Sequence, residues 1–381
     1  MEKKVLAFDF GASGGRAMCG TFDGDKISIE ELHRFSNDPV ILNGTMYWDV
    51  LRLFFEIKQG LIKAKKCGKI ESIGIDTWGV DFGLIDEEGR LLENPVHYRD
   101  ARTEGMIEES FKLIDKEKFY QITGNQFMDL NTAFQLLSLV KTRKELLEKA
   151  DKMILMPDLF NYFLTGEKKA EYSIASTTQL LDAKKGEWSD EVIEALGIPK
   201  HIFPEIVPTG TKIGTLTDEI CTELGLDKID VMAVAGHDTQ SALVSVPTSE
   251  EDFIFLSCGT WSLLGTELAE PIINEKSEHY NITNEGGYEE RFPSLRISLD
   301  CGVFRKAVVS GSVKEMSTDL ASLRLWQKKL RHFRALLIRM HRNSHLPEIF
   351  RQESVNSARR QDSLFRKQSE KLFVASTRVL Q

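Results

Sequence analysis

The sequence has no apolar run near the roughly 18 residues that a membrane helix needs. Its start, MEKK before a strand-length apolar stretch, lacks the plan of a signal peptide. A soluble protein with no membrane partner is expected. Cysteine is scarce: Cys19, Cys67, Cys221, Cys258 and Cys301 form no CxxC pair and leave an odd one over. That speaks against a disulfide framework and for a reduced, cytoplasmic setting. Glycine, 27 in all, is missing from Ser312 to the end, 70 residues rich in Ser, Arg, Gln and Lys. Charge is uneven as well: of 49 Lys and Arg and 58 Asp and Glu, residues 292–381 hold 18 and 7, leaving 31 and 51 before them. Two compositions share one chain. With 381 residues, 41% hydrophobic and 28% charged, the chain exceeds a single core and predicts about two domains.

What is present begins with DFGASGGR from Asp9, directly after the apolar run Val5 to Phe8. Its small residues let backbone N–H groups crowd around an anion. Arg16 to Phe22 continues as a strand, so neither a Walker loop nor a dinucleotide loop fits, since both open a helix. The reading left is a β-hairpin phosphate loop with Asp9 at its root, a carboxylate suited to the hydrated Mg²⁺ of a nucleotide. An ordinary tight hairpin is the plainer alternative. A second copy strengthens the first reading: Phe253 to Ser257 as a strand, Cys258, Gly259 and Thr260 as the turn, Trp261 to Thr266 as the return. Two such hairpins across a cleft would clamp a triphosphate, with hydroxyls from Ser13 and Thr260.

Between them, helix and strand signals alternate as in α/β architecture. Asp49 to Cys67 places Leu51, Phe54, Phe55, Ile57, Leu61 and Ile62 on a helical stripe after a capping Asp. Ile70 to Asp76 reads as a buried strand, Thr132 to Leu147 as a helix, Lys152 to Met156 as a strand, and Asp158 as the cap of a helix ending at Gly166. A continuous apolar strand, Ile229 to Ala235, runs into Gly236, His237 and Asp238. Ligands of α/β folds gather at the carboxyl ends of strands. Asp238 is therefore placed to accept a proton from an attacking hydroxyl, the one base that phosphoryl transfer needs near its nucleophile. The alternative is a cap for a helix beginning at Thr239. No second His or Cys lies at ligand spacing from His237, which argues for packing or substrate orientation over metal ligation. In the turn Trp78 to Phe82, a ring that stacks on a sugar and a carboxylate, Asp81, that accepts its hydroxyls stand side by side. A Trp packed between sheet and helix is the competing reading. With the polar YRDART (Tyr98 to Thr103), the group suggests a polyol.

These strings, DFGASGGR, GIDTWGVDFGLID, YRDART, LMPDLFNYFLTG, ASTTQLLD, AGHDTQSA and CGTWSLLG, resemble the FGGY carbohydrate kinases. The likeness runs from Val5 to about Tyr288, and several strings are those of the branch that takes L-rhamnulose. The resemblance implies an α/β, duplicated actin-like, RNase H-like fold of two lobes, with the second lobe incomplete. Residues 1–242 would form the N-terminal domain, with the sugar site and first phosphate hairpin, and 243–291 the start of the C-terminal one. The resemblance further implies transfer of the ATP γ-phosphate to the 1-hydroxyl of L-rhamnulose, with Asp238 as proton acceptor. Trp78, Gly79, Asp81, Gly83, His237, Asp238 and Thr239 would surround the sugar. Ala12, Ser13, Gly14, Gly15, Arg16, Gly259 and Thr260 would meet the ATP phosphates, and Asp9 the magnesium side. Two alternatives stay open: another sugar kinase of this family, for xylulose, fuculose or glycerol, and a non-catalytic actin-like nucleotide-binding protein.

Beyond NEGGY (Asn284 to Tyr288) the likeness stops. Relatives continue with a phrase like NIIGLWLLQ, whereas this chain reads RISLDCGVFRK. Read one nucleotide earlier, the codons of ISLDCG can spell IIGLW, those of Leu336 to Ser344 can spell IDPDAPEF, and Met340 before His341 forces an Ala. Residues 292–381 are therefore expected to be an out-of-frame, poorly ordered tail, leaving the adenosine pocket unwritten and activity weak or absent. A basic arm for nucleic acid is the competing reading, but it lacks interleaved aromatics. We expect the nucleotide sequence around Glu290 to yield the family phrases in the frame one base back; a frame that cannot spell them would refute the out-of-frame tail.

Overall fold

The structure, a computed structural model, describes residues 2–246, 255–258, 262–268, 270–286 and 294–299. Strand β1 (Lys3–Gly11) is written with a period of two: Leu6, Phe8 and Phe10 are fully buried on one face, and Asp9 lies on the other. It folds back through Ala12 and Ser13 into β2 (Gly14–Phe22), antiparallel, with Gly11 opposite Gly14. The expected strand-turn-strand unit is therefore present, and no helix follows the loop. β3 (Ile27–Ser36) extends the meander.

Helix α1 (Val50–Ala64) starts where the Asp49 carboxylate accepts the Arg52 N–H. Its buried face is Val50, Leu53, Ile57, Leu61 and Ala64, so the stripe is rotated from the one expected: Leu51, Phe55 and Ile62 are exposed. Gly60 explains the rotation. A Cβ there would lie 2.5 Å from the Phe8 ring and 2.9 Å from the Ala17 Cβ, so the helix seats its glycine against the sheet. Close approach to the sheet, not hydrophobicity alone, selects the inward face.

β4 (Ser72–Thr77) runs parallel to β1 on the side away from β2. The helix expected over Thr132 to Leu147 is two: α2 (Thr132–Thr142) ends at Arg143, whose φ of −148° breaks the turn, and Lys144–Lys149 restarts it. In α3 (Met156–Thr165) Asp158 is no cap, because the helix begins before it at Met156; its carboxylate instead accepts the Glu171 N–H at 3.1 Å. Phe160 of the same helix stacks on Phe10, with centroids 4.9 Å apart. β5 (Lys212–Thr215) and β6 (Asp230–Met232) complete a six-stranded sheet of order β5-β6-β4-β1-β2-β3. β6 is shorter than the run Ile229 to Ala235, since the chain leaves the sheet to form the loop before α4 (Asp238–Val244).

A second sheet holds β7 (Phe255–Cys258), β8 (Ser262–Glu267), β9 (Thr283–Glu285) and β10 (Ser294–Leu299), in the order β7-β8-β10-β9, all antiparallel. The second hairpin is thus real as a strand pair, although its turn residues Gly259 and Thr260 lie outside the described residues. β10 falls beyond the boundary at 291 expected from composition. Its SLRISL alternates apolar and polar residues, which suits a strand whatever the chemistry of the surrounding chain. The remainder of 292–381 lies outside the described residues. No helix among the described residues is long and apolar enough to cross a membrane.

Gly60→Ala sets two effects against each other. Alanine gains up to about 1 kcal/mol of helix propensity, whereas forcing a methyl into a filled contact costs about 1–3 kcal/mol. We expect the clash to win, with a net loss of about 1 kcal/mol and a lower melting temperature in thermal denaturation; a raised melting temperature would mean that α1 can move outward freely.

Candidate active site

Cross-strand register brings three charges into one row on the face opposite the Phe8–Phe10 core. Arg16 of β2 pairs with Asp9 of β1, and Asp9 with Asp76 of β4. The Arg16 guanidinium also donates to the Asp9 carboxylate. Asp76 is partly exposed to solvent yet densely surrounded by protein. Its carboxyl is held well above the usual range, by that burial first and then by the charges of Asp9 and Asp238. Sequence reasoning passed over Asp76 as the end of a strand. The signal was available: FDF in β1 and IDT in β4 both set an Asp between inward residues at the carboxyl end of a strand.

The loop after β6 joins this row through its backbone. Thr77 N–H donates to the Gly236 carbonyl at 2.9 Å, and Thr77 and His237 form a parallel bridge. Gly236 N–H donates to Glu171 Oε2 at 2.9 Å. Glu171 is almost fully buried and accepts as well from Ser173 N at 3.0 Å, Ile174 N at 3.1 Å, Ser173 Oγ at 2.6 Å and the Thr209 hydroxyl. An ionised carboxylate offers only acceptors, and here every near donor is directed at it. Beside it, burial and the Glu171 charge push the Asp158 carboxyl well above the ordinary range.

Asp238 is the first residue of α4, not its cap, and its carboxylate caps no backbone N–H: the helix begins one residue earlier than the capping alternative requires. Its side chain is 36% exposed, and Oδ1 accepts the Thr239 hydroxyl at 3.1 Å. His237 is buried, with Nε2 3.4 Å from Asp238 Oδ1 and Nδ1 2.8 Å from Glu285 Oε2. Gly79 faces this pair, since a Cβ built on it would sit 3.4 Å from His237 Nε2 and 3.3 Å from Thr177. The structure therefore brings Asp9, Arg16, Gly79, His237, Asp238 and Thr239 together.

Other expected site residues have different employment. Trp78 is 5% exposed, packs 4.0 Å from the Trp48 ring and donates Nε1 to Asp81 Oδ2 at 3.0 Å. Asp81, expected to receive sugar hydroxyls, is fully buried and already supplied: Trp48 Nε1 at 2.6 Å, Tyr98 N at 3.2 Å and Gln135 Nε2 at 2.9 Å also donate to it. It ties the turn to the chain around it instead of facing a ligand. Gly83 is likewise a packing glycine, because a Cβ would lie 2.9 Å from Leu159 and 3.0 Å from Leu91. Gly15 has a packing reason of its own, with the Phe35 ring 2.3 Å from where its Cβ would be. Ala12, Ser13 and Gly14 form the hairpin tip, steadied by Asn37 N–H to the Ser13 carbonyl at 3.3 Å and Asn37 Nδ2 to the Gly11 carbonyl at 3.0 Å.

The turn also contains a feature no periodicity reveals. Val80 has φ of 70°, a left-handed conformation costly for a β-branched residue. Its N–H donates to Thr177 Oγ1 at 3.2 Å and its carbonyl accepts from Thr132 Oγ1 at 2.6 Å, bonds that hold the strain in place. Thr177 belongs to ASTTQLLD, so that string buttresses the turn.

A sheet of this order, with a hairpin at β1–β2 and acids at the ends of neighbouring strands, is half of the two-lobed actin-like, RNase H-like fold. Solved structures agree. The xylulose kinase of Lactobacillus acidophilus superposes with a TM-score of 0.71 at 19% identity, over 80% of this chain and 62% of that one. Plasmodium falciparum glycerol kinase with ADP gives 0.69 at 18%, over 82% and 64%. The chain belongs to the FGGY family of carbohydrate kinases, whose N-terminal domain matches residues 4–245. Among curated relatives, the rhamnulokinase of Oceanobacillus iheyensis is 44% identical over 297 residues, 78% of this chain and 63% of that protein. The rhamnulokinase of Bacteroides thetaiotaomicron is 44% identical over 290 residues, 76% and 60%. This chain thus spans about three fifths of the length of the relatives it matches.

Burial pushes the Asp81 carboxyl from 3.8 up to about 6, against four lowering hydrogen bonds and charges. As pH rises, the unfolded chain sheds this proton first, so the stability contributed is complete below about pH 4 and lost as pH climbs through about 6, on the order of 3 kcal/mol. Asp81→Asn removes that titration, and its NH₂ must face a donor, which costs about 1–3 kcal/mol. Urea midpoints should fall less between about pH 5 and 7 in the variant than in the wild type; an equal fall would place the titration elsewhere.

Proposed function

We propose that this chain carries the sugar side of an ATP-dependent kinase that phosphorylates L-rhamnulose at its 1-hydroxyl, giving L-rhamnulose 1-phosphate and ADP. The observation that carries the reading is Asp238: a partly exposed carboxylate beside Gly79, His237 and Thr239, at the end of the strand next to the row Arg16–Asp9–Asp76. The choice of L-rhamnulose is supported by the two rhamnulokinases at 44% identity.

In this reading Asp238 takes the proton of the ketose hydroxyl as its oxygen bonds to the γ-phosphorus and the bond to the ADP oxygen breaks. His237, Thr239 and the side-chain-free edge at Gly79 orient the sugar. Ala12, Ser13, Gly14, Gly15 and Arg16 meet the phosphates at the first hairpin; Gly259 and Thr260, expected to do the same from the second, lie outside the described residues. Trp78 and Asp81 serve the sugar indirectly, by fixing the turn that bears Gly79, and Gly83 by closing it against α3. The residues fit a hydrated Mg²⁺: Asp9 and Asp238 lie close enough to Asp76 to raise its carboxyl, a field that a cation relieves. Asp9 would hold it, and bound there it would neutralise triphosphate charge. Among the described residues no group of three His, Cys, Asp or Glu forms a direct cage, as suits an ion that keeps most of its water. The reaction belongs in the cytoplasm, where ATP is available.

ADP release coupled to NADH oxidation, measured across L-rhamnulose, xylulose, fuculose and glycerol, tests this. We expect weak but L-rhamnulose-selective turnover, because residues 292–381 depart from the family. Asp238→Asn should lower kcat by roughly 10²–10⁴ with sugar binding retained. Preference for another sugar would reassign the substrate. Nucleotide turnover indifferent to Asp238→Asn would remove the kinase reading altogether.

A further inference from the structure

Glu285, the last residue of β9, reaches His237 from the side opposite Asp238. It is buried, and its Oε2 lies 2.8 Å from His237 Nδ1 and 3.3 Å from Gln240 Nε2. Its neighbours are fixed: Asn125 Nδ2 donates to Thr283 Oγ1 at 2.8 Å and to the Asn284 carbonyl at 3.3 Å, and Gly286 N–H donates to Ser176 Oγ at 2.8 Å. The carboxylate is held against the imidazole by bonds that do not involve the imidazole.

Resting on the kinase reading above, we propose that Glu285 is a positioning residue that fixes the tautomer of His237 and thereby turns Nε2 toward Asp238 as an acceptor. An ionised carboxylate has no hydrogen to give, so the 2.8 Å contact requires the proton on Nδ1. In the neutral ring Nε2 is then an acceptor, and it stands 3.4 Å from Asp238 Oδ1. The opposite tautomer would direct Nε2–H at Asp238 Oδ1 and occupy the oxygen that receives the sugar proton. With Glu285 in place, the hydroxyl proton that Asp238 removes finds Nε2 as its hydrogen-bond partner. The sugar O–H bond breaks, the O–P bond forms, the bond from phosphorus to the ADP oxygen breaks, and the proton remains between Asp238 and His237.

The test is tautomer-resolved NMR of the full chain labelled with ¹³C,¹⁵N-histidine, with the His237 signals assigned by their loss in His237→Asn. We expect the proton on Nδ1 in the wild type and in Glu285→Gln, which keeps an acceptor oxygen, and on Nε2 in Glu285→Leu, which has none. Where the wild type turns over, Glu285→Leu should lower kcat about a hundredfold with the sugar KM held within about threefold, and Glu285→Gln should recover most of the loss. A wild-type ring protonated on Nε2, or a tautomer unchanged in Glu285→Leu, overturns the proposal. If Glu285→Leu does not fold, the wild-type spectrum alone still decides. Since the tautomer is read without turnover, the Nδ1 proton supports the positioning role, and its absence overturns it, whether or not the wild type is active.

Discussion

The hydrogen bond from Gly236 N–H to the buried Glu171 carboxylate is the constraint on which the site depends. A loop leaving a parallel sheet has lost its ladder partners, and its polar backbone groups need others. Here Thr77 N–H takes the Gly236 carbonyl, and Glu171 takes the N–H. Gly236 is pinned through both its N–H and its carbonyl, so the two side chains that follow can differ: His237 is buried, and Asp238 opens to solvent. A buried carboxylate is expensive unless every lone pair is used. Glu171 meets that condition with five donors, and burial beside its charge pushes the neighbouring Asp158 carboxyl well above the ordinary range.

A second constraint acts through glycine. Gly60 lets α1 settle on Phe8 and Ala17, and Gly79 leaves an edge open next to His237. Elsewhere the same residue type is there for packing, as at Gly15 under Phe35 and at Gly83 between Leu91 and Leu159. A glycine-rich string therefore mixes two purposes, and only the neighbouring side chains tell them apart.

That mixture sets how much was legible in the sequence. Apolar runs located β1 and β4, β2 followed as the strand after the glycine turn, and the loop after β6 stood out because a continuous apolar run ended on Gly-His-Asp. The hairpin could be separated from helix-opening loops by the strand that follows it. Less was legible where the outcome rests on contacts between distant segments. The inward face of α1 was misjudged because Gly60, not the largest residues, decides it. Trp78 and Asp81 looked exposed to a sugar because the donors that fill Asp81 come from Trp48, Tyr98 and Gln135, far away in sequence. Glu171 and Glu285 went unnoticed for the same reason: each gains meaning only from partners distant in the chain, Gly236 and Thr209 for the one and His237 for the other.

The stitching of residues 281–286 onto Tyr120 and Asn125 has a consequence for how the molecule is made. Tyr120 gives its hydroxyl to the Ile282 carbonyl, and Asn125 reaches Thr283 across 158 positions. Closures of that span come late, after local helices and hairpins have formed. A ribosome must therefore have released nearly three hundred residues before the histidine acquires its acidic neighbour. No shorter nascent fragment carries the completed pair of His237 and Glu285.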